Sequence, residues 1–184
     1  SPESPVPGLV ELTWQLGDGP FVEILRHVCR RLRMPCQVRA RFERAYAYAD
    51  PGRSPREHLS SRRRKQLGRH TRGLERELGA TLELVDHGGS PGAVDAFRRL
   101  RDAGWKGRPH DDDVPQEHRG GWFVEAMSAF ADSGMLHVFE LRGGGVALYM
   151  SVVVRAGGTC LGIADTYNED YARYSPGALG RLLE

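Results

Sequence analysis

Residues Met135 to Thr166 read MLHVFELRGGGVALYMSVVVRAGGTCLGIADT. Three β-rich runs, Met135 to Leu141, Val146 to Arg155 and Thr159 to Thr166, are separated by Arg142-Gly143-Gly144-Gly145 and by Ala156-Gly157-Gly158. Glycine supplies the positive φ that tight hairpin turns require, and runs joined this closely pair with their chain neighbours. The stretch predicts an antiparallel meander of three strands.

Reading outward toward the N-terminus, Trp122, Phe123, Ala126, Met127 and Phe130 recur at helical spacing and end at Ser133-Gly134, which predicts a helix with one buried stripe. The polar run Lys106 to Gly121, with Asp111-Asp112-Asp113, reads as a loop. Before it, Ala93, Val94, Ala96, Phe97 and Leu100 line a second helix that opens at Ser90-Pro91 and stops near Gly104. Ala80 to Val85 is a short strand. Toward the C-terminus, a polar loop from Tyr167 to Tyr174 leads into Ser175-Pro176, where a last helix starts. From residue 79 the order is therefore strand, helix, helix, strand, strand, strand, helix. The expected class is α/β (α+β), a mixed and largely antiparallel sheet flanked by helices.

The front of the chain has its own pattern. Leu9 to Leu16 and Cys36 to Ala49 alternate as strands do, and between them Phe21, Ile24, Leu25, Val28 and Leu32 follow Pro20 at helical spacing. Asp50-Pro51-Gly52-Arg53-Ser54-Pro55 is a turn-rich connector and the best boundary. A long basic helix is expected from Pro55 to Leu78, with Leu67, Leu74 and Leu78 as a thin apolar seam. Arg53 to Arg76 holds nine Arg or Lys against Glu57 and Glu75.

Bulk properties restrict the options. The 184 residues are 40% hydrophobic and 27% charged, an ordinary globular composition. The net charge of +2 gives no whole-molecule attraction to polyanions. Cys29, Cys36 and Cys160 show no metal-ligand spacing, and a sparse odd set of cysteines fits a reducing, cytoplasmic setting. His110 and His118 flank the aspartate run without regular ligand spacing, so no metal is expected. No apolar run approaches a membrane span. Ser1 to Pro7 lacks the basic flank and apolar core of a signal peptide and reads as a linker.

The element order matches the first seven elements of the GNAT acyl-CoA N-acyltransferases. Three local stretches strengthen the match: Leu59-Ser60-Ser61-Arg62-Arg63-Arg64-Lys65-Gln66-Leu67, Trp105-Lys106-Gly107-Arg108, and Tyr167-Asn168-Glu169-Asp170-Tyr171-Ala172-Arg173-Tyr174-Ser175-Pro176-Gly177. Together they resemble the FemAB-like and CelD-like branch, over about Leu59 to Glu184. The resemblance implies that residues 79–184 are a GNAT-like domain, incomplete at its C-terminus because the family continues with a strand, a helix and a closing hairpin. It implies residues 51–78 as a connecting helix. Residues 1–50 become the end of a preceding GNAT-like unit or an N-terminal extension.

The same resemblance implies acetyl-CoA or another acyl-CoA as co-substrate, a small-molecule or sugar-linked amine as acceptor, and a pyrophosphate site at Arg173, Tyr174, Ser175, Gly177 and Ala178. A helix start suits phosphate because its first N–H groups lack intrahelical partners and the helix dipole favours negative charge there. The family pattern is Arg or Gln, two residues, Gly, one residue, then Gly or Ala. Pro176 stands where the first glycine is expected and removes one donor. Ser-Pro-Gly also opens many helices that bind nothing. The family's thiolate-protonating tyrosine belongs to the missing part, so no residue inherits that role.

Acyl transfer to an amine needs positioning and a base. Asp165, at the end of an apolar strand, reads equally as that base or as a strand-end cap. Tyr149 and Tyr174 are the other catalytic candidates, and Trp105, Arg108 and Tyr167 are candidates for the substrate side; each is as readily packing. Cys160 has no convincing His partner and reads as a small apolar group. The cluster Arg62, Arg63, Arg64 and Lys65 reads either as a solvated helix face or as a site for tRNA or another polyanion. Two further functions stay open: a FemAB-like aminoacyl-tRNA-dependent transferase acting on a cell-wall precursor, and a non-catalytic GNAT-like binding module. A homodimer is also open.

Overall fold

The computed structural model describes residues 10–12, 17, 19–41, 43, 52–108 and 121–184. The chain divides into two compact units, Ser1–Ala49 and Asp50–Glu184.

In the first unit, helix α1 spans Pro20–Arg31 and buries no residue. Phe21, Ile24, Val28 and Leu32 form the expected stripe, but all four are exposed. The two strands expected around this helix are not seen at residues 10–12, 36–41 and 43, which have no ladder; the remainder of each expected strand lies outside the described residues. Alternation gives a strand its two faces, but only a hydrogen-bonded neighbour and a covered face make it a sheet. Here the segments are linked instead by an exposed Arg39–Glu11 ion pair at 3.0 Å.

The second unit opens with a 3-10 turn at Pro55–His58, capped by Ser54. Helix α2 then runs over Ser61–Leu78. One continuous helix was expected from Pro55; the chain breaks because Ser60 starts afresh as an N-cap, its hydroxyl accepting from the Arg63 N–H at 3.3 Å. Gly79, left-handed at φ 63°, closes α2. Strand β1 (Glu83–Asp86), helix α3 (Pro91–Ala103), a 3-10 turn at Trp105–Gly107 and helix α4 (Gly121–Asp132) follow. Next come β2 (Leu136–Gly143), β3 (Val146–Ala156) and β4 (Thr159–Tyr167), then a 3-10 turn at Glu169–Tyr174 and helix α5 (Pro176–Leu183).

The sheet order is β1-β2-β3-β4 with every pairing antiparallel. Both meander turns place two glycines at positive φ, Gly144 and Gly145 at 57° and 80° and Gly157 and Gly158 at 55° and 82°. That is the turn whose twist matches paired strands. Helices cover both faces. On one, Ala93, Val94 and Phe97 of α3 and Phe123 and Met127 of α4 pack on Leu136, Val138, Met150, Val152 and Val154. On the other, Leu67 and Leu74 of α2 and Leu179 of α5 pack with Leu141, Leu148 and Tyr149. The mixed α/β architecture with an antiparallel sheet between helices is the one expected from the sequence.

One irregularity positions the site. Val152 pairs with Ala164 but Val153 pairs with Gly162, so Ile163 is an extra residue in β4. A one-residue slip reverses the face of every side chain beyond it. The bulge puts Asp165 opposite Ser151 and Tyr167 opposite Tyr149, on the face that carries α5.

Candidate functional site

The candidate site lies where the C-terminal end of β4, the Glu169–Tyr174 turn and α5 meet the Trp105–Gly107 turn. Asp165 is its centre. Lys106 Nζ donates to Asp165 Oδ1 and to its backbone carbonyl, both at 2.7 Å. Arg181 Nε and Nη2 donate to Asp165 Oδ2 at 3.0 and 2.8 Å. Burial alone would raise this carboxyl, but the Lys106 and Arg181 hydrogen bonds outweigh it and hold it below its ordinary value. Asp165 is therefore an ionised acceptor with both oxygens engaged.

Glu169 makes a second tether to the same turn. It accepts from the Trp105 backbone N–H at 2.9 Å and from Arg108 Nη2 at 3.1 Å. The Lys106 ammonium lies 5.6 Å from the centre of the half-exposed Trp105 ring, within range of a cation–π contact. Trp105 and Arg108 are thus brought to the end of β4. Lys106 and Arg181, which join this end to both neighbours, were not singled out from the sequence. Their only signal is sequence proximity to Trp105 and to the Ser175-Pro176 helix start.

Beneath α5, Tyr149 is buried. Its hydroxyl donates to Glu184 Oε2 at 3.1 Å, and Ser151 Oγ donates to the same oxygen at 3.0 Å. Burial, then the Glu184 charge, pushes the Tyr149 hydroxyl well above its ordinary value. The ring lies so close to α5 that a Cβ at Gly180 would sit 2.0 Å from Tyr149 Cδ1. Tyr167 packs in the same core.

The predicted phosphate turn divides into two parts. Arg173 and Tyr174 face α2. The Tyr174 hydroxyl donates to Glu77 Oε2 at 2.7 Å, Arg173 pairs with the same carboxylate, and the guanidinium lies 4.9 Å from the Tyr174 ring centre. The ring sits against Gly73, where an added Cβ would come within 2.6 Å of Tyr174 Cε1. Ser175, Gly177 and Ala178 instead form the start of α5. Ser175 has φ 53°, a left-handed conformation uncommon outside glycine. Its hydroxyl makes no capping hydrogen bond. Its carbonyl accepts from the Ala178 and Leu179 N–H groups at 3.0 and 3.2 Å.

This start has the chemistry of an anion site. No acidic residue stands in the first turn of α5, the helix presents its positive end, and the Ser175 hydroxyl is an additional donor. Gly177 turns its α-carbon toward the core, where an added Cβ would touch Tyr167 Cδ1 at 3.7 Å and Tyr149 Cδ2 at 4.0 Å. Pro176 is buried and lacks an N–H, so the donor set is smaller than in a glycine-rich turn. The donors left for a CoA pyrophosphate are the Ser175 hydroxyl and the Gly177 N–H rather than all five predicted positions, because the Ala178 N–H is held by the Ser175 carbonyl.

The cluster Arg62, Arg63, Arg64 and Lys65 also divides. Arg63 donates to Gln66 at 2.9 Å, and Arg64 donates to the Leu59 carbonyl at 2.6 Å and to Ser61 Oγ at 3.2 Å. Arg62 and Lys65 point to solvent. Among the described residues, no group of three or more His, Cys, Asp or Glu is arranged to hold a metal ion, and no helix is long and apolar enough to cross a membrane.

No curated protein matches the sequence. A family model described as an acetyltransferase (GNAT) domain matches residues 61–182, from the first residue of α2 to the last turn of α5. That span takes in both cores, all four strands and every tether around Asp165, and the chain belongs to the GNAT acetyltransferase family.

Proposed function

We propose that this chain moves an acyl group from acyl-CoA to an amine by direct attack, with the CoA pyrophosphate resting on the Ser175–Ala178 turn. The observation that carries this reading is the start of α5: a left-handed Ser175 with an uncommitted hydroxyl, and an acid-free first turn. CoA, when bound, supplies a thioester whose carbonyl carbon is open to attack. The amine nitrogen bonds to that carbon, the carbon–sulfur bond breaks, and the proton the nitrogen loses passes, directly or through a base, to the departing thiolate to give the free thiol.

The chain's residues set the surroundings of that exchange. Asp165 holds Lys106 and Arg181 beside the turn; to serve as the base it must first release one of them, because in this arrangement its affinity for a proton is lowered. Tyr149, raised by burial, keeps its proton at neutral pH and acts as a donor rather than a base. On the acceptor side, the half-exposed Trp105 ring offers an apolar platform suited to a small or sugar-linked amine, with Arg108 and Tyr167 nearby in the assembly. The FemAB-like or CelD-like character rests on the three sequence stretches quoted above.

The test is calorimetry and thermal shift with acetyl-CoA on the wild type and on Ser175→Asp. Asp is favoured at a helix N-cap and tolerates the left-handed φ of this position, but it replaces the hydroxyl donor with a charge that repels phosphate. The variant should keep its melting temperature and bind acetyl-CoA at least about tenfold more weakly, roughly the 1.4 kcal/mol of one strong anion contact. Neither heat nor a thermal shift with the wild type would overturn the reading.

A further inference from the structure

Helix α2 carries a single-sign stripe that acyl transfer does not use. Arg62, Lys65, Arg69, Arg72 and Arg76 are all exposed. Their spacings of three and four residues place them within an arc of about 80° on a helix of 3.6 residues per turn. The stripe is about 21 Å long at 1.5 Å per residue. None of the five forms an ion pair among the described residues; Arg76 Nε donates to the Arg72 carbonyl at 3.2 Å, within the stripe itself. The two acids of α2 are committed elsewhere. Glu75 accepts from the Leu82 N–H at 3.3 Å, and Glu77 binds Arg173 and Tyr174. An ordinary solvated helix face mixes charge signs, because like charges at these spacings repel.

We infer that this stripe is a docking surface for the phosphate backbone of a double-helical nucleic acid. A duplex carries one phosphate charge per about 1.7 Å of its axis when both strands are counted, so a rod of about 21 Å laid along it meets more phosphates than the five cations here can neutralise. Four of the five are arginine, whose planar fork matches phosphate oxygens in pairs. No aromatic residue interrupts the stripe, which disfavours a single-stranded ligand held by base stacking. A helix that lies on a membrane keeps an apolar face for the lipid. Here Leu67 and Leu74 are buried within the protein's own core. This reading is independent of the acyl-CoA site, since none of the five residues belongs to it.

The experiment is fluorescence anisotropy of labelled 20-base-pair RNA and DNA duplexes against the full chain at 50 to 200 mM salt. One or both duplexes should bind, with a log–log salt slope of roughly −4, as five neutralised phosphates require; the pair of probes tells which sugar the surface accepts. The triple reversal Lys65→Glu, Arg69→Glu, Arg72→Glu should weaken binding at least about 100-fold and flatten the slope by about 3. It should leave acetyl-CoA binding unchanged. The neutral counterpart Lys65→Gln, Arg69→Gln, Arg72→Gln guards against a folding effect and should fall in between. No binding of either duplex at 50 mM salt would overturn the proposal. Binding that both triple variants retain would do the same. So would tighter binding to vesicles with one-third phosphatidylserine than to either duplex, which would transfer the stripe to a membrane surface.

Discussion

Gly180 shows how closely single residues are specified around α5. An added Cβ would fall 2.0 to 2.5 Å from three carbons of the Tyr149 ring. That ring is buried and cannot swing into solvent. Gly180→Ala should therefore lower stability by about 1–3 kcal/mol, the usual range for forcing an atom into a filled core, although alanine is the better helix former. A denaturant melt of the pure variant checks it; a more stable variant would show that α5 does not press on Tyr149. Nothing in the residues around Gly180 warns of this contact. Gly180 reads as a flaw in a short helix, because the residue that explains it lies on a strand far away in the chain. Asp165 was legible by contrast, since a carboxylate ending an apolar strand is conspicuous. What was not legible is that Lys106 and Arg181 occupy both of its oxygens, because neither cation is its chain neighbour.

Between elements, Asp165 ties the Trp105–Gly107 turn and α5 to β4. This tether has a pH signature. Because the folded carboxyl is lowered, its stabilisation is present above the unfolded value of about 3.9 and is lost as pH falls through the lower folded value. Asp165→Asn should cost about 2 kcal/mol at pH 7, where two charge-assisted partners lose their acceptor. The gap from wild type should close in acid. Chemical unfolding of both proteins from pH 7 down to pH 3 measures this, and a gap that stays constant with pH would show that the cations do not hold Asp165 ionised. Elements of this kind were read well where local chemistry fixes them. The glycine pairs announced both hairpins, and the apolar stripes announced α3 and α4. The bulge at Ile163 escaped because it is a property of pairing, and β4 alone contains no mark of which residue will be left over. The breaks and shifts at Ser60 and Ala80 arise from capping and from partner strands, which propensity does not record.

For the whole molecule, the matched span 61–182 falls inside the unit Asp50–Glu184. We expect a chain of residues 50–184 to unfold in one cooperative step, with a melting temperature within a few degrees of that unit's transition in the full chain. It should also bind acetyl-CoA equally. Calorimetric scanning of both chains decides; an unfolded 50–184 chain would show that residues 1–49 complete its core. The family was legible at this scale because element order survives errors of two or three residues at every boundary. The first 49 residues were not, because a stripe such as that of α1 states only that a partner surface is wanted, and not which one.

The outer strand carries a consequence for handling the protein. Thr159 to Tyr167 contains no lysine, arginine or proline, and Leu161 and Ile163 are exposed on it. Among the described residues no strand lies beyond β4. Natural sheets blunt such margins with charge, proline or bulges. Here a bulge at Ile163 and one carboxylate, Asp165, interrupt the strand, and on either side of them the backbone of β4 can serve as a template for another extended segment, from elsewhere in the same polypeptide or from a second molecule.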